Sequence, residues 1–215
     1  MGKGKMIMVV AGVIVAVLLG AWTAVGYRDT KGIETPKYTI ERKAKGFEVR
    51  HYAPQIRAEV LMDGDYRESL YGGFRYLADY IFGNNTTQSD IAMTAPVLSE
   101  QSAKIAMTAP VLQQRQGVAG TYVIAFIMPS EYTLDTLPKP RNDKVKLREI
   151  PERRYAVYRF GGYATKGRVK RLAARLDAAL AREGLTAKGA PAVAQYNPPW
   201  TPPYMRRNEI LIPIE

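Results

Sequence analysis

Apolar residues recur at the spacing of one helix face in two separate stretches of the chain. The first stretch has Leu70, Phe74, Leu77 and Ile81 at i, i + 4, i + 7 and i + 11. The second stretch has Val169, Leu172, Leu176 and Leu180. A glycine follows each stretch, Gly83 and Gly184 respectively, which is typical of a helix C-terminus. The pattern therefore predicts two amphipathic helices, each with one buried face.

Strand patterns flank both predicted helices. Before the helices, residues 47–66 and 145–163 align with one gap opposite Asp63, and each reads as strand, proline turn, strand, glycine turn and tyrosine. The predicted strands after the helices are the Met-Thr-Ala-Pro-Val segment with residues 121–128, and residues 192–197 with 208–214. The sequence thus predicts an α+β fold in which a ββαββ unit is used twice. We expect one antiparallel, barrel-like sheet with a helix against each half.

An octapeptide is repeated without change after the first helix. Ile91-Ala-Met-Thr-Ala-Pro-Val-Leu98 recurs 14 residues later as residues 105–112. Strand alternation places Met93 and Met107 on the apolar face of each copy, which favours a core position for both side chains. We expect the two copies to pair as a hairpin across residues 99–104.

The N-terminus has the pattern of a membrane helix. Residues 6–27 contain no charged side chain. At about 1.5 Å per residue, a helix of this length matches the ~30 Å hydrocarbon core of a bilayer. Trp22 and Tyr27 stand near its far end, where interfacial aromatic residues are common. We expect residues 1–27 to be a transmembrane signal anchor; the alternative is a signal peptide cleaved after Gly26.

The rest of the chain divides into a polar linker, residues 28–36, and a body, residues 37–215. Lys3 and Lys5 precede the apolar stretch, which favours a cytoplasmic N-terminus. We therefore expect a membrane-anchored body on the non-cytoplasmic side, periplasmic or extracellular. Cleavage of the N-terminal segment would instead give a secreted protein.

Composition narrows the chemistry of the body. Among 215 residues there is no cysteine and one histidine, His51, which excludes disulfides, thiolate metal sites and a multi-histidine metal centre. The net charge of +11 favours anionic partners. The motifs of serine hydrolases, P-loop proteins, dinucleotide-binding proteins and zinc proteases are absent, so we do not expect an enzyme.

Several short motifs, in this order, resemble those of the SOUL family of haem-binding proteins. They are Glu48-Val-Arg-His-Tyr52, Met-Thr-Ala-Pro-Val at 93–97 and 107–111, Phe160-Gly-Gly-Tyr163, Tyr196-Asn-Pro-Pro199 and Arg206-Arg-Asn-Glu209. The resemblance extends from about residue 38 to residue 214. It implies a distorted antiparallel β-barrel flanked by two helices, with haem or a related tetrapyrrole bound in an apolar groove beside the first helix. The doubled octapeptide and the N-terminal membrane segment depart from the family domain.

Haem requires flat apolar walls and, in many proteins, an axial ligand. Phe74, Leu77 and Ile81 are candidates for a haem-binding wall, with ordinary core packing as the alternative. His51 is the possible axial metal ligand because it is the only imidazole in the chain. The alternative for His51 is a strand histidine without a role in binding.

Haem also requires cations for its two propionates. Arg206 and Arg207 are candidates because a guanidinium fork suits carboxylates. The alternative is a structural ion pair in which Glu209 holds one of them. A basic surface on the second helix favours anionic lipid over nucleic acid, for which no recognition motif is present; a solvated helix face is the alternative there.

The sequence therefore predicts a domain that binds haem or a related tetrapyrrole for transport, buffering or sensing. A second hypothesis is a membrane-tethered interaction or sensing module that binds another hydrophobic anion, such as a lipid. A third is an enzyme that acts on a tetrapyrrole, against which the lack of a clear acid–base pair argues.

Overall fold

The structure, a computed structural model, describes residues 2–28, 31–87, 102–117 and 120–215. Its helices are α1 (Lys3–Arg28), α2 (Tyr66–Ile81) and α3 (Lys166–Arg182), with a 3₁₀ turn at Pro203–Met205. Its strands are β1 (Tyr38–Ala44), β2 (Phe47–Tyr52), β3 (Gln55–Asp63), β4 (Asn85–Thr86), β5 (Val111–Gln116), β6 (Thr121–Ile127), β7 (Lys139–Pro140), β8 (Val145–Ile150), β9 (Arg153–Phe160), β10 (Ala192–Gln195) and β11 (Asn208–Pro213).

Within the described residues, nine strands form one antiparallel sheet in the order β1-β2-β9-β11-β10-β5-β6-β3-β8. Apart from β1, the strands form two equivalent units, in which β2, β3, β5 and β6 correspond in turn to β8, β9, β10 and β11. When each strand is replaced by its counterpart, the order is the same, read from the opposite edge of the sheet. The central pair β5–β10 lies on the axis that relates the units. Helix α2 packs on β3 and β6, and α3 packs on the equivalent strands β9 and β11. The predicted duplicated ββαββ fold is confirmed, and its sheet curls into a half-barrel.

Both helices cover the same face of the sheet. Beneath α3, the side chains of Leu176 and Leu180 pack with those of Phe47 and Val49 from β2. Beneath α2, a second core cluster lies against β3 and β6. The opposite surface, here called the helix-free face, has its own buried cluster of Tyr52, Ala109, Leu112, Ala125, Ile127, Tyr155, Val157, Ala194, Tyr196 and Leu211. The sheet therefore has a packed apolar layer on each side.

Two adjacent glycines in α2 have different structural roles. A Cβ added at Gly73 would lie 2.4 Å from Cγ1 and 2.6 Å from Cβ of Ile124, which belongs to β6. A Cβ added at Gly72 would meet only the terminal methyl group of Met62, at 2.7 Å. Because Ile124 is held by the sheet and the Met62 methyl is free to rotate, Gly73 is the residue that permits the close approach of α2 to β6.

The structure differs from the prediction at the second Met-Thr-Ala-Pro-Val segment. Strand β5 begins only at Val111, and residues 102–110 form an irregular chain with a cis peptide bond between Ala109 and Pro110. Alternation of faces therefore does not hold here, and Met107, which we expected in the core, is 41% exposed. The first copy of the octapeptide, and with it the predicted hairpin, lies outside the described residues. Strand β1 and the small β4–β7 ladder were not predicted.

Candidate functional site

Helix α2 presents an apolar flank beside its buried face. Phe74, Ala78 and Phe82 are spaced four residues apart and therefore lie on one side of the helix. Phe74 is half-buried and packs edge-on against Phe126, with ring centroids 5.3 Å apart. Phe82, directly after the last turn, is 58% exposed. This α2 flank, defined by Phe74, Ala78 and Phe82, is an apolar wall of the kind that flat ligands bind.

Of the three side chains predicted to form the wall, Phe74 alone belongs to the α2 flank. Leu77 and Ile81 are fully buried in the core between α2 and the sheet, which was the alternative considered for them. Phe82 was not predicted, because the apolar stripe indicates the buried centre of the helix and not its flank. The same four-residue spacing, continued from Phe74 through Ala78, would have found it.

Two arginines adjoin the α2 flank. At about 100° per residue, Arg67 projects roughly 20° from Phe74 around the helix axis, and Arg75 roughly 20° from Phe82. Both side chains are exposed. The guanidinium of Arg67 lies 5.6 Å from the ring centroid of Tyr71. The flank therefore combines an apolar wall with cations on the same side of the helix.

The chain segment 102–110 is attached to the C-terminal end of α2. The backbone N–H of Ile105 donates to the carbonyl of Ile81 at 2.8 Å. The side chain of Asn85 exchanges two hydrogen bonds with the backbone of Ala103, at 2.8 and 2.9 Å. Met107 follows two residues after Ile105, so this anchoring brings an exposed thioether near the end of α2.

His51 lies in the other half of the sheet. Its strand, β2, packs beneath α3 through Phe47 and Val49. The His51 Nε2 atom is 3.7 Å from a carboxylate oxygen of Glu152, and the imidazole side chain is 38% exposed. Across the ladder His51 is paired with Arg154 of β9. The structure therefore places His51 at the surface, on a strand that does not support α2.

Arg206 orders the loop that precedes β11. Its Nε donates to the carbonyl of Thr201 at 2.9 Å, and its Nη2 donates to the carbonyl of Pro199. The guanidinium carbon lies 4.5 Å from the ring centroid of Tyr163. The side chain predicted to bind a propionate is thus engaged with backbone carbonyls and an aromatic ring.

Arg207 belongs to a buried charged cluster on the helix-free face. Its Nη2 donates to the Glu209 carboxylate at 2.8 Å, which is the structural ion pair that we considered as the alternative. Glu209 is fully buried and also accepts hydrogen bonds from Arg50 at 3.1 Å and from the Tyr196 hydroxyl at 2.7 Å. Arg50 in turn donates to Glu48 at 2.8 Å. The Arg-Arg-Asn-Glu motif pointed to one of these contacts, but the Glu48–Tyr52 motif, which contains Arg50, did not indicate that Arg50 binds Glu209.

The protonation states of this cluster follow from its burial. Burial, followed by the negative charge of Glu209, raises the pKa of Tyr52 to about 12. The same two causes raise the pKa of Tyr196 well above its ordinary value. Burial alone would lower the pKa of Arg50, but the attraction of Glu209 and hydrogen bonds with Tyr52 and Glu48 outweigh it, and the net pKa is raised. The arginines are therefore charged, and the tyrosines neutral, over the physiological range.

The predicted site residues do not converge on one point. Arg207 precedes Asn208, which is paired with Phe160 at one end of β9, whereas His51 is paired with Arg154 near the other end. At ~3.3 Å per residue, these two positions are roughly 20 Å apart along the strand. Strand β11 is also separated from β6, beneath α2, by β10 and β5. Phe74, the arginine pair and His51 therefore occupy three different places.

Two cavities were not anticipated from the sequence. One, of about 550 Å³, lies at an end of the half-barrel between the linker at residues 34–37, the β2–β3 turn and the β8–β9 turn. The other is an open groove of about 1000 Å³ on the helix-free face along β3 and β8. Leu61 supplies exposed apolar surface in this β3–β8 groove, Lys146 supplies positive charge, and Arg148 is paired with Glu59 at 3.3 Å. The groove is the second place where the described structure has room for an apolar anion.

Two further properties of the described residues bear on function. Residues 6–28 of α1 form a helix long and apolar enough to cross a membrane, and its apolar window is not buried by the rest of the protein. Length and composition suit an anchor and a signal sequence equally. In the described part of the chain, no group of three or more His, Cys, Asp or Glu side chains is arranged to hold a metal ion.

Comparison with known proteins identifies the family. The family described as "SOUL heme-binding protein" matches residues 33–103 and 99–213 of this chain. The chain belongs to the SOUL family. Each matched stretch contains one copy of the repeated octapeptide, and the two stretches overlap at residues 99–103, between the copies. The family assignment made from the motifs is thus confirmed, and the family is described by haem binding rather than by an enzymatic activity.

Individual relatives agree with this assignment. Heme-binding protein 2 of Homo sapiens is 26% identical over 140 residues, and that of Mus musculus is 25% identical over 142 residues. The chain spans only 63% and 64% of the length of these two relatives. Among solved structures, the EcmrR C-terminal domain aligns with 83% of this chain and 98% of its own, with a TM-score of 0.55 and 10% identity. A hydrolase from Listeria innocua aligns with 81% and 94%, with a TM-score of 0.52 and 12% identity. At such low identity these two structures share the fold alone.

Proposed function

We propose that this SOUL protein binds haem or a related tetrapyrrole along the α2 flank while α1 holds it on a membrane. The family assignment supports haem as the ligand class. The observation that carries the location is the apolar flank itself, where Phe82 is exposed beyond the packed core and Phe74 is half-buried at its edge. Burial of such surface against a porphyrin face supplies binding free energy without a covalent bond.

The residues around the flank fit the chemistry of haem. The aromatic rings of Phe74 and Phe82 suit a flat apolar macrocycle. Exposed Arg67 and Arg75 suit carboxylates, whereas Arg206 and Arg207, the cations named from the sequence, already have partners inside the protein. We therefore assign the propionate-binding role to the two α2 arginines.

Two side chains are candidates for the axial ligand to iron. His51, the candidate from the sequence, lies partly exposed beside Glu152 in the other half of the sheet, so it would ligate only a haem bound away from the α2 flank. Met107 is the candidate nearer to α2, because its segment is hydrogen-bonded to the end of that helix. Haem would supply the iron to which either one binds. Neither side chain is part of the α2 flank, so apolar contact rather than iron ligation would dominate the affinity.

The apolar flank and the buried polar cluster favour a binding role over an enzymatic one. We propose reversible capture of the ligand, for transport, buffering or sensing, and no turnover. The ionisable groups with raised pKa values on the helix-free face are buried and hydrogen-bonded to one another, which suits a structural cluster better than an acid–base pair. Incubation of haemin with the protein should therefore leave the iron in the porphyrin, as judged by the absorbance spectrum.

Titration with haemin in detergent, followed by the Soret band, tests the ligand class. We expect saturable one-to-one binding, with metal-free protoporphyrin bound to a comparable extent because the contacts are mainly apolar. His51→Ala and Met107→Leu then identify the axial ligand as the variant that changes the haemin spectrum but leaves protoporphyrin binding unchanged. Weak, non-saturable association of both ligands would contradict haem binding.

A second candidate function is the binding of another hydrophobic anion, such as a lipid. The observation in its favour is the β3–β8 groove, which is lined by the exposed side chain of Leu61 and the cation of Lys146. A fluorescent fatty acid is a suitable probe. If it binds, and neither haemin nor protoporphyrin displaces it, the groove holds a ligand of its own.

We also propose that α1 remains as the anchor and that the body lies on the non-cytoplasmic side. The support is the uninterrupted apolar helix and the lysines that precede it in the sequence. Protease added to cells with an opened outer envelope and an intact cytoplasmic membrane should digest the body, and the mass of the mature protein should include residues 1–27. A protease-protected body would contradict the orientation, and a shortened N-terminus would contradict the anchor.

A further inference from the structure

The end of α1 is docked on a proline-rich loop of the body, residues 198–205, which precedes β11. The indole Nε1 of Trp22 donates to the carbonyl of Trp200 at 2.7 Å. The hydroxyl groups of Thr23 and Tyr204 are 2.5 Å apart. A Cβ added at Gly26 would lie 2.9 Å from Cδ of Pro202. The last turns of α1 therefore contact this loop directly, at the place where the helix leaves the body.

The loop exposes large aromatic side chains at that same place. Trp200 is 57% exposed and Tyr204 is 65% exposed. Trp22 and Tyr27, near the end of α1, are also exposed. Trp and Tyr are the side chains that accumulate where a protein meets lipid headgroups, because each has an apolar ring with a polar hydrogen-bonding group.

The loop is held rigidly, unlike an ordinary exposed turn. Its prolines at 198, 199, 202 and 203 restrict the backbone. Arg206 binds the carbonyl of Thr201 at 2.9 Å, and the carbonyl of Pro203 accepts the N–H of Gly162 at 3.0 Å. The loop therefore presents its aromatic side chains in a fixed position relative to the body.

Charge at this surface suits an anionic bilayer. Arg28 is the last residue of α1, and Lys31 follows it. Arg168 donates to the backbone carbonyl of Tyr163, a residue whose side chain is exposed. Basic side chains that flank interfacial aromatic residues are attracted to anionic lipid. A lipid surface thus matches both the aromatic and the charged part of the patch.

We propose that the loop 198–205 is a second membrane contact, in which Trp200 and Tyr204 enter the headgroup region beside the exit of α1. This contact would hold the SOUL domain in one orientation on the bilayer instead of leaving it on a free tether. The proposal rests on α1 spanning the membrane, as proposed above, and it concerns residues that take no part in the proposed haem site.

The chain offers a direct test because Trp22 and Trp200 are its two tryptophans. Full-length protein is reconstituted into phosphatidylcholine–phosphatidylglycerol vesicles that contain lipids brominated near the headgroup end of the acyl chain. W22F leaves Trp200 as the sole reporter of the loop, and W200F leaves Trp22 as the sole reporter of the anchor. We expect bromolipid quenching of both, with Trp200 protected from aqueous acrylamide.

A third variant, W22F/W200F/Y71W, reports from α2, where Tyr71 is exposed, and should respond to acrylamide but not to bromolipid. A fourth, W22F/G26V, should reduce the quenching of Trp200, because a side chain at position 26 would displace Pro202.

The outcomes separate the two proposals. Quenching of Trp22 without quenching of Trp200 overturns the loop contact and leaves the anchor intact. Absence of quenching at Trp22 overturns the anchor and, with it, the loop contact. Equal quenching at position 71 shows general adsorption of the protein to the vesicle and also overturns the loop contact.

Discussion

Arg50 of β2 and Glu209 of β11 form an ion pair across the intervening strand β9, with 3.1 Å between the Arg50 Nη1 and a Glu209 carboxylate oxygen. Glu209 has no exposed surface, and Arg50 is nearly as buried. A buried charge is tolerated only when its partners compensate for lost hydration. Glu209 is compensated by two guanidinium groups and one hydroxyl, so it joins strands β2 and β11 to Tyr196, directly after β10, and to the loop before β11.

Glu209→Gln should therefore be strongly destabilising. Removing its charge leaves Arg50 and Arg207 without their common partner, and loss of one member of a buried pair costs about 3–5 kcal/mol. The free energy of unfolding in urea, followed by circular dichroism in detergent, measures the effect. The matched control is Glu41→Gln, whose partner Arg154 is 2.8 Å away in a partly exposed pair. It should cost no more than about 1 kcal/mol. Equal effects of the two substitutions would contradict the account of the cluster.

The same cluster predicts how stability changes at alkaline pH. The pKa of Tyr52 is raised from its ordinary value to about 12, so the folded state holds this proton more tightly than the unfolded state. The stabilisation is fully present below about pH 10 and should be lost as the pH rises from about 10 towards 12. Tyrosinate absorbance of the wild type minus that of Tyr52→Phe gives the titration of this residue. A midpoint for Tyr52 near 10 would contradict the prediction.

Gly73→Ala should destabilise the protein although alanine is the better helix former. The new methyl group would collide with Ile124 in β6, and overpacking of this kind costs about 1–3 kcal/mol. Gly72→Ala is the matched control, because its methyl group meets only the movable end of Met62. It should be neutral or gain up to about 1 kcal/mol from helix propensity. Urea denaturation compares the two variants, and a Gly73→Ala variant as stable as the control would show that α2 does not need its close approach.

Asp65 should contribute to stability as the N-cap of α2. Its carboxylate accepts hydrogen bonds from the backbone N–H groups of Arg67 and Glu68, at 2.7 and 2.9 Å, and these bonds lower its pKa. Asp65→Ala should lower Tm at neutral pH. The effect should disappear in acid, since the stabilisation is lost as the pH falls through the lowered pKa. Thr165 at the start of α3 makes no capping hydrogen bond through its side chain, so Thr165→Ala should change Tm less. Equal changes for both variants would exclude capping as the cause.

The duplicated fold was predictable because both copies keep the same order of periodic segments and turn residues. Strand β1 was missed because its residues are mostly exposed, so no apolar alternation marks it. The irregular course of residues 102–110 was missed because alternating apolar residues there imitate a strand, and the sequence does not reveal that the chain bends at Ala109.

The candidate site was less predictable than the fold, because it depends on residues far apart in the sequence. Local spacing indicated that Phe74 belongs to α2, but it did not separate the buried centre of the helix, where Leu77 lies, from the flank. An arginine in a strand reads as a surface residue, so the burial of Arg50 became visible only with Glu209 beside it. The β3–β8 groove joins Leu61 to Lys146, which no motif connects.

Haemin titration of two matched variants tests the central claim, that the ligand lies along the α2 flank. Phe82→Glu changes the flank, and Leu61→Glu changes the β3–β8 groove; the original side chains are 58% and 57% exposed, so neither substitution removes a core residue. Burial of a phenylalanine side chain against a ligand contributes about 1–2 kcal/mol, so Phe82→Glu should weaken haemin binding roughly tenfold. Leu61→Glu should leave the Kd unchanged. Unchanged binding by Phe82→Glu together with weakened binding by Leu61→Glu would contradict the claim and place the ligand on the helix-free face.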